Sequence, residues 1–412
     1  MEAILVFLSN RVQRMQASPI RKLIPYADQA KKRGIKVYHL NIGQPDIETP
    51  PVFFEYIKKY SNKIISYTNS AGLYELREKF AEYYSKYGAE LSAEEIMITV
   101  GGSEAVTFAI AVVADPGDEI IVVEPFYANY NGFASLLNVN LVPVVSKAEK
   151  GYALPENKEF ELKITSRTKG ILFSNPSNPT GAVYSKQDIL RILELARKYD
   201  LYVIVDEVYR EFVFDGLKPF SVMEFKDHWD RIIMVDSLSK RFSLCGGRIG
   251  TFVTKNKEIL DMVMKMAQSR LSPPMISQIG SIGLLTLDER YFKEISEEYR
   301  KRRDVVFEEI SKIEGVVCKK PKGAFYMSVK LPIDNSEKFV KWMLTDFNVN
   351  NSTTMVAPLT GFYATEGAGN DEIRIAYVLE TDSLKRACNI LRLGVQEYNK
   401  VREKESEVQE TT

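Results

Sequence analysis

Short apolar runs recur along this chain, and each gives way to small or polar residues before a stretch of helical period begins. Residues 95–100, 119–123, 141–145, 169–173, 201–205, 232–235 and 251–253 read as strands. Helical spacing follows several of them. Leu73, Leu76, Phe80 and Tyr84 repeat on one face of 73–87, and Ile189, Leu193 and Ala196 on one face of 186–199. Residues 101–114, 257–269, 277–287 and 291–313 also read as helices, the last a long cationic connector. Strands alternating with helices predict an α/β sheet covered on both faces. Such sheets bind ligands at the carboxyl ends of their strands. No internal repeat or low-complexity block interrupts the pattern.

The most informative stretch is 232–253. Its strand ends in Asp236-Ser237-Leu238-Ser239, and Lys240 follows among small and apolar neighbours. Burial and nearby cations disfavour the charged form of a lysine so placed, which lets it attack a carbonyl. Arg248, inside Gly246-Gly247-Arg248-Ile249-Gly250, offers a forked donor for phosphate. Taken alone, the stretch is equally a strand end with two surface cations.

Bulk properties narrow the chemistry. The chain has 412 residues, 45% hydrophobic and 27% charged, as in ordinary soluble globular proteins. Its 55 basic and 55 acidic residues give no electrostatic bias toward nucleic acid or membrane. Cys245, Cys318 and Cys388 form no metal or disulfide pattern, so a reducing cytoplasmic setting without a metal is expected. With only His39 and His228, most His-dependent mechanisms fall away. Residues 1–8 are apolar but too short to span a bilayer, and are expected to pack as an arm.

Other motifs sit at strand ends. Gly101-Gly102-Ser103-Glu104 opens a helix after 95–100, where free N–H groups and the positive helix end make an anion cradle. Tyr127 follows 119–123 and can stack on a flat heterocycle, whereas Phe126 reads as core. Asn175-Pro176-Ser177-Asn178-Pro179-Thr180-Gly181 predicts a rigid turn. Asp206 ends the apolar run 201–205, and a buried carboxylate there needs a partner. Asn41-Ile42-Gly43-Gln44-Pro45 reads by itself as a plain turn after a strand at 37–42.

Ser-Leu-Ser-Lys-Arg-Phe followed by Gly-Gly-Arg-Ile-Gly closely resembles the cofactor-lysine region of pyridoxal-phosphate aminotransferases of the aspartate aminotransferase fold, class I/II. With the other motifs in order, the resemblance spans roughly residues 18 to 400, and is closest to prokaryotic aspartate aminotransferases. It implies a mostly parallel seven-stranded sheet flanked by helices, plus a smaller α/β domain. The implied layout is an arm and part of the small domain in 1–48, the cofactor domain in 49–295, the small domain in 296–400 and a disordered tail in 401–412.

The resemblance also assigns roles. Lys240 would hold pyridoxal 5'-phosphate as a Schiff base and then move the substrate Cα proton. Asp206 would keep the ring nitrogen protonated, making the ring an electron sink. Asn178 and Tyr209 would meet the ring hydroxyl, and Tyr127 would cover the ring. Gly102, Ser103, Glu104, Ser237, Ser239 and Arg248 are implied in cofactor binding. Tyr67 would reach the phosphate of the second subunit of a homodimer. Gly43 would lie by the substrate carboxylate, where no side chain fits, Asn178 is counted with the substrate contacts, and Arg374 would clamp the α-carboxylate.

The implied activity is ping-pong transfer from an amino acid, aspartate favoured, to a 2-oxo acid, 2-oxoglutarate favoured. Alternatives are aromatic or alanine-type donors, or a β-eliminating carbon–sulfur lyase. An acyl-CoA-using synthase is disfavoured, because Tyr127 stands where those enzymes resemble one another in a stacked histidine. A non-catalytic regulator is disfavoured because the arm is too short for a DNA-binding helix pair. For the distal carboxylate of aspartate, Arg270 is the first candidate and Arg241 and Lys22 the next.

Overall fold

The computed structural model describes residues 8–13 and 15–410. The apolar residues 1–7, expected to form an arm, lie outside the described residues. The strands are β1 (Lys36–His39), β2 (Ile96–Val100), β3 (Glu119–Glu124), β4 (Asn140–Val145), β5 (Thr168–Ser174), β6 (Tyr202–Asp206), β7 (Ile232–Ser237), β8 (Ile249–Val253), β9 (Tyr326–Lys330), β10 (Ser352–Met355), β11 (Ala357–Pro358) and β12 (Glu372–Ala376).

Seven strands form one sheet in the order β2-β8-β7-β6-β5-β3-β4. β4, β3, β5, β6 and β7 run parallel, and β8 is antiparallel to both neighbours. The central strands are apolar on both faces because both faces are covered. Ile171, Val203 and Ile232 enter one core, and Leu172, Ile204 and Ile233, one position on, enter the other. Helices Tyr74–Ser85 and Lys186–Tyr199 cover the first face, while Gly101–Val113 and Lys257–Arg270 cover the second. The start of Lys186–Tyr199 is fixed by a reciprocal cap. Ser185 Oγ accepts from the Asp188 N–H at 3.1 Å, and Asp188 Oδ2 accepts from the Ser185 N–H at 2.9 Å.

A second layer holds the antiparallel sheet β11-β12-β9 and the parallel pair β1-β10. Helices Ser336–Thr345 and Thr381–Glu410 share its core. The strand expected at 37–42 is therefore shorter and pairs with residues more than three hundred positions away in the chain. Two helices with little sequence signal, Pro51–Lys58 and Asn129–Leu137, complete the large sheet's surroundings.

The tail expected to be disordered from 401 is instead helical through Glu410. Its low apolar content hides good helix formers, because Glu, Lys, Arg and Gln lose little freedom in a helix. Ion pairs support the approach to it, with Lys400 3.5 Å from Glu397 and Arg402 3.3 Å from Asp334. Among the described residues, no helix is long and apolar enough to cross a membrane.

Beneath β6 and β7 lies a buried cluster of three carboxylates and two guanidinium groups. Arg210 reaches Glu207 at 2.7 Å, Asp236 at 3.2 Å and Glu211 at 3.4 Å. Arg241 pairs with Glu211 at 3.0 Å and with Asp236. Tyr84 donates to Asp236 at 2.9 Å. Mutual pairing is what allows these charges to be buried, and it anchors the strand end that carries Lys240.

Candidate active site

A cavity of about 510 Å³ opens where these strands end. The start of the helix after β2 contributes Gly102 and Ser103. Tyr127 follows β3, Asn178 follows β5, and Asp206 and Tyr209 come from the end of β6. Ser237, Ser239 and Lys240 come from the end of β7, and Arg248 precedes β8. The second layer closes it with Gly43, Tyr326 and Arg374. A larger, shallower cleft of about 1200 Å³ beside Phe214 and Phe292 contains none of these groups.

One end of the cavity suits an anion. Gly101 has φ +72°, and a Cβ there would lie 2.4 Å from Arg248 Nη2. Glycine thus lets the guanidinium lie against the helix start, where first-turn N–H groups lack helical acceptors. Arg248 is itself left-handed at φ +54°. Its guanidinium donates to Cys245 O at 3.1 Å and Val100 O at 3.4 Å. The Ser237 and Ser239 hydroxyls are 2.8 Å apart beside it. Glu104 departs from the expectation. Its carboxylate accepts from the Val100 N–H at 2.9 Å and pairs with Arg270 at 3.2 Å, so its side chain caps the helix outside the cavity.

The middle holds a carboxylate without a cation. Asp206 is buried, Oδ2 accepts from Tyr130 Oη at 2.8 Å and Oδ1 from the Val208 N–H at 3.2 Å. No guanidinium or ammonium pairs with it among the described residues. Burial pushes its carboxyl up to about 6, against the lowering effect of these two hydrogen bonds. Tyr127 lies edge-to-face on Tyr130, with centroids 5.5 Å apart, and burial raises its phenol to about 12. Tyr209 Oη is 2.8 Å from Tyr326 Oη.

The other end holds a guanidinium without a carboxylate. Arg374 is 1% exposed and donates to Asn178 Oδ1 at 3.0 Å and Asn41 O at 2.7 Å, while Nε has no acceptor. It lies over the Tyr326 and Phe362 rings, at 4.3 and 5.0 Å from the centroids. Burial lowers its pKa, partly countered by the surrounding tyrosines. Asn178 turns its carbonyl to Arg374, which leaves its amide N–H₂ for a ligand. Gly43 is required by Tyr326, because a Cβ there would lie 1.7 Å from Tyr326 Oη. Between the two ends, Lys240 Nζ donates to Gly43 O at 2.8 Å, with Cys245 Sγ 3.9 Å away.

Besides Glu104, three candidate cations and Tyr67 lie outside the cavity of this chain, as expected for Tyr67. Tyr67 is 79% exposed and does not line the cavity of its own chain. Arg270 is engaged by Glu104 at 3.2 Å and by the carbonyls of Ser70 and Ile98 at 3.2 and 3.3 Å, and does not line the cavity of its own chain. Arg241 is locked in the buried charge cluster, and Lys22 pairs with Glu337. Conversely, Tyr130, Tyr326 and Asn41 were not legible as site residues. Tyr130 lies in the first turn of the helix Asn129–Leu137, and nothing local in the sequence marks it as the partner of Asp206.

The chain belongs to the aminotransferase class I and II family, whose model matches residues 35–391. It is 31% identical to an aspartate aminotransferase of Pyrococcus horikoshii, over 93% of this chain and 96% of that one. It is 30% identical to aromatic-amino-acid aminotransferase 2 of Thermococcus litoralis, over 92% and 96%. A solved double mutant of Thermus thermophilus aspartate aminotransferase superposes with a TM-score of 0.86 at 29% identity, covering 95% of this chain and all of the other. The protein is therefore a transaminase, acting on amino and 2-oxo acids.

The isolated carboxylate gives a pH prediction for the cofactor-free protein. Asp206 binds its proton more tightly folded, near 6, than unfolded, near 3.8. Its contribution to stability therefore falls as pH rises through that window and stays low above it. Asp206→Asn removes this loss. In thermal or denaturant unfolding of the cofactor-free proteins, the variant should gain on wild type as pH rises from about 4 to 6, by roughly 2–3 kcal/mol. A constant difference across that range would show that the carboxylate is not strained by burial.

Proposed function

We propose that this transaminase transfers the amino group of aspartate to 2-oxoglutarate, using pyridoxal 5'-phosphate attached at Lys240. The observation that carries the cofactor assignment is the unpaired Asp206 carboxylate facing the cavity, with the Arg248 cradle at one side and unpaired Arg374 at the other. A flat cationic heterocycle bearing a phosphate satisfies the first two, and an α-carboxylate satisfies the third. The aspartate assignment is supported by the names of similar proteins from Pyrococcus horikoshii and Thermus thermophilus.

When bound, the cofactor supplies a carbonyl that accepts the amino group and a ring that takes up electron density from Cα. The protein's own groups do the rest. Asp206 holds the ring nitrogen in its cationic form, and Tyr130 fixes the carboxylate by its hydrogen bond. The free N–H₂ of Asn178 and the Tyr209 hydroxyl donate to the ring hydroxyl. Tyr127 covers a ring face. Gly102, Ser103, Ser237, Ser239 and Arg248 hold the phosphate. Arg374 fixes the substrate α-carboxylate and so orients Cα toward Lys240. The Lys240 amine would take the proton from the substrate Cα and deliver it to the carbon that was the cofactor's carbonyl. Its seat against Gly43 O keeps Nζ within the cavity.

Tyr67 is exposed, next to the exposed Ile64 and Ile65. We assign this surface to a homodimer contact that carries Tyr67 to the partner's phosphate.

Lys240→Ala should cut the half-reaction with aspartate by ~10²–10⁴ or more, the usual worth of a positioned acid–base group. Single-turnover absorbance changes of the holoenzyme with a panel of amino acids measure this. Aspartate should react fastest in the wild type, and fastest reaction with phenylalanine or alanine would move the donor to one of those classes. Pyruvate and ammonia from a single substrate would identify the lyase alternative. Near-normal turnover of Lys240→Ala would sink the lysine assignment.

Subunit sharing has its own test. Lys240→Ala and Tyr67→Phe chains, each impaired alone, should recover part of the activity when mixed and refolded together. Activity that stays at the average of the two parents would contradict a shared site.

A further inference from the structure

Four cations line the cavity, and three are occupied by the chemistry just described. Lys240, Arg248 and Arg374 each hydrogen-bond within the chain and line the cavity, and the proposed function gives them, respectively, the reacting carbon, the phosphate and the α-carboxylate. The fourth is Arg21. It is exposed and lines the cavity, and its guanidinium has no hydrogen bond or ion pair among the described residues.

The residues on either side of Arg21 are anchored. Pro19 lies so close to Gly361 that a Cβ on that glycine would be 2.5 Å from the proline ring. Ile20 packs on the small cluster that contains Leu359 and Phe362. Phe362 is one of the two rings against which the Arg374 guanidinium lies. Lys22 pairs with Glu337, which also accepts from Thr360 Oγ1 at 2.8 Å, and Leu23 is buried in the second layer's core. The segment is thus seated beside the α-carboxylate clamp, with Arg21 its one long side chain left free.

A dicarboxylate brings two anions into this cavity, and Arg374 has room for one. The second loses water as it enters the cavity, so it requires a cation of its own. We propose that Arg21 binds the distal carboxylate of dicarboxylic substrates and sets the preference for them. Its planar fork matches a carboxylate, and its flexible stem can turn to solvent when the substrate side chain is neutral. The inference rests on the transaminase reading with a dicarboxylic partner in at least one half-reaction.

The test uses the holoenzyme and Arg21→Gln, which keeps length and polarity but removes the charge. Arg21→Lys serves as the conservative variant. Each half-reaction is followed separately, aspartate and glutamate against alanine for the aldehyde form, and 2-oxoglutarate against pyruvate for the amine form. Arg21→Gln should lower kcat/KM for dicarboxylates by roughly 10- to 100-fold, as expected for a charge partner lost from a partly desolvated pair. Alanine and pyruvate should change by less than about 3-fold, within the range of surface substitutions. Arg21→Lys should recover part of the loss. Calorimetric affinity for succinate, which is bound without turnover, should fall in the same proportion, while affinity for butyrate should not.

The outcomes separate the two claims. Poor use of aspartate with a 2-oxoglutarate half-reaction that remains sensitive to Arg21→Gln would overturn the aspartate assignment and keep the role of Arg21. Equal losses on mono- and dicarboxylates, or none on either, would overturn the role of Arg21. A wild type that reacts with no dicarboxylate in either half-reaction would overturn both.

Discussion

A desolvated charge requires a countercharge, and two buried charges that face the cavity have none among the described residues. Asp206 ends β6 with only a phenol and a backbone N–H against it. Arg374 on β12 meets an amide oxygen, a backbone carbonyl and two aromatic faces, and no carboxylate. Burying either charge without an ionic partner costs stability, and a ligand of opposite sign would offset that cost. The two charges come from different layers and meet at one cavity. The fold is what brings them together.

The neighbouring cluster of Glu207, Arg210, Glu211, Asp236 and Arg241 shows the contrast. It is equally buried, yet every one of its charges has an ionic partner. The end of the large sheet thus carries paired charges in this cluster and one unpaired charge, Asp206, facing the cavity. Pairing holds the strand ends in position, and the lack of pairing creates affinity. Glycines carry the remaining constraint. Gly101 yields to Arg248 and Gly43 yields to Tyr326, so two tight approaches that shape the cavity depend on the absence of a Cβ.

Much of this was legible in the sequence because it is local. Apolar runs marked the seven strands of the large sheet, and Lys240, Asp206, Asn178 and Arg248 stood at their ends. Arg374 and Gly43 were placed only through the family resemblance, since nothing nearby in the chain marks them. What escaped was long-range. Tyr326 meets Gly43 and Tyr209 across the two layers, and β1 pairs with β10 from the far end of the chain. Arg270 looked available as a loop cation, but Glu104, also expected at the site, neutralises it. The charged tail looked unstructured because composition reports burial, while its helix rests on propensity and on ion pairs at its approach.

An unpaired Asp206 should select a cationic ring. The most direct measurement is a binding cycle in the Lys240→Ala background, where no covalent attachment intervenes. Pyridoxal 5'-phosphate is compared with the analogue in which CH replaces the ring nitrogen, each with Asp206 and with Asp206→Asn. With Asp206 present, the analogue should bind at least ~10-fold more weakly, and the amide should abolish most of that difference. Equal affinity for the two compounds in the presence of Asp206 would contradict the account.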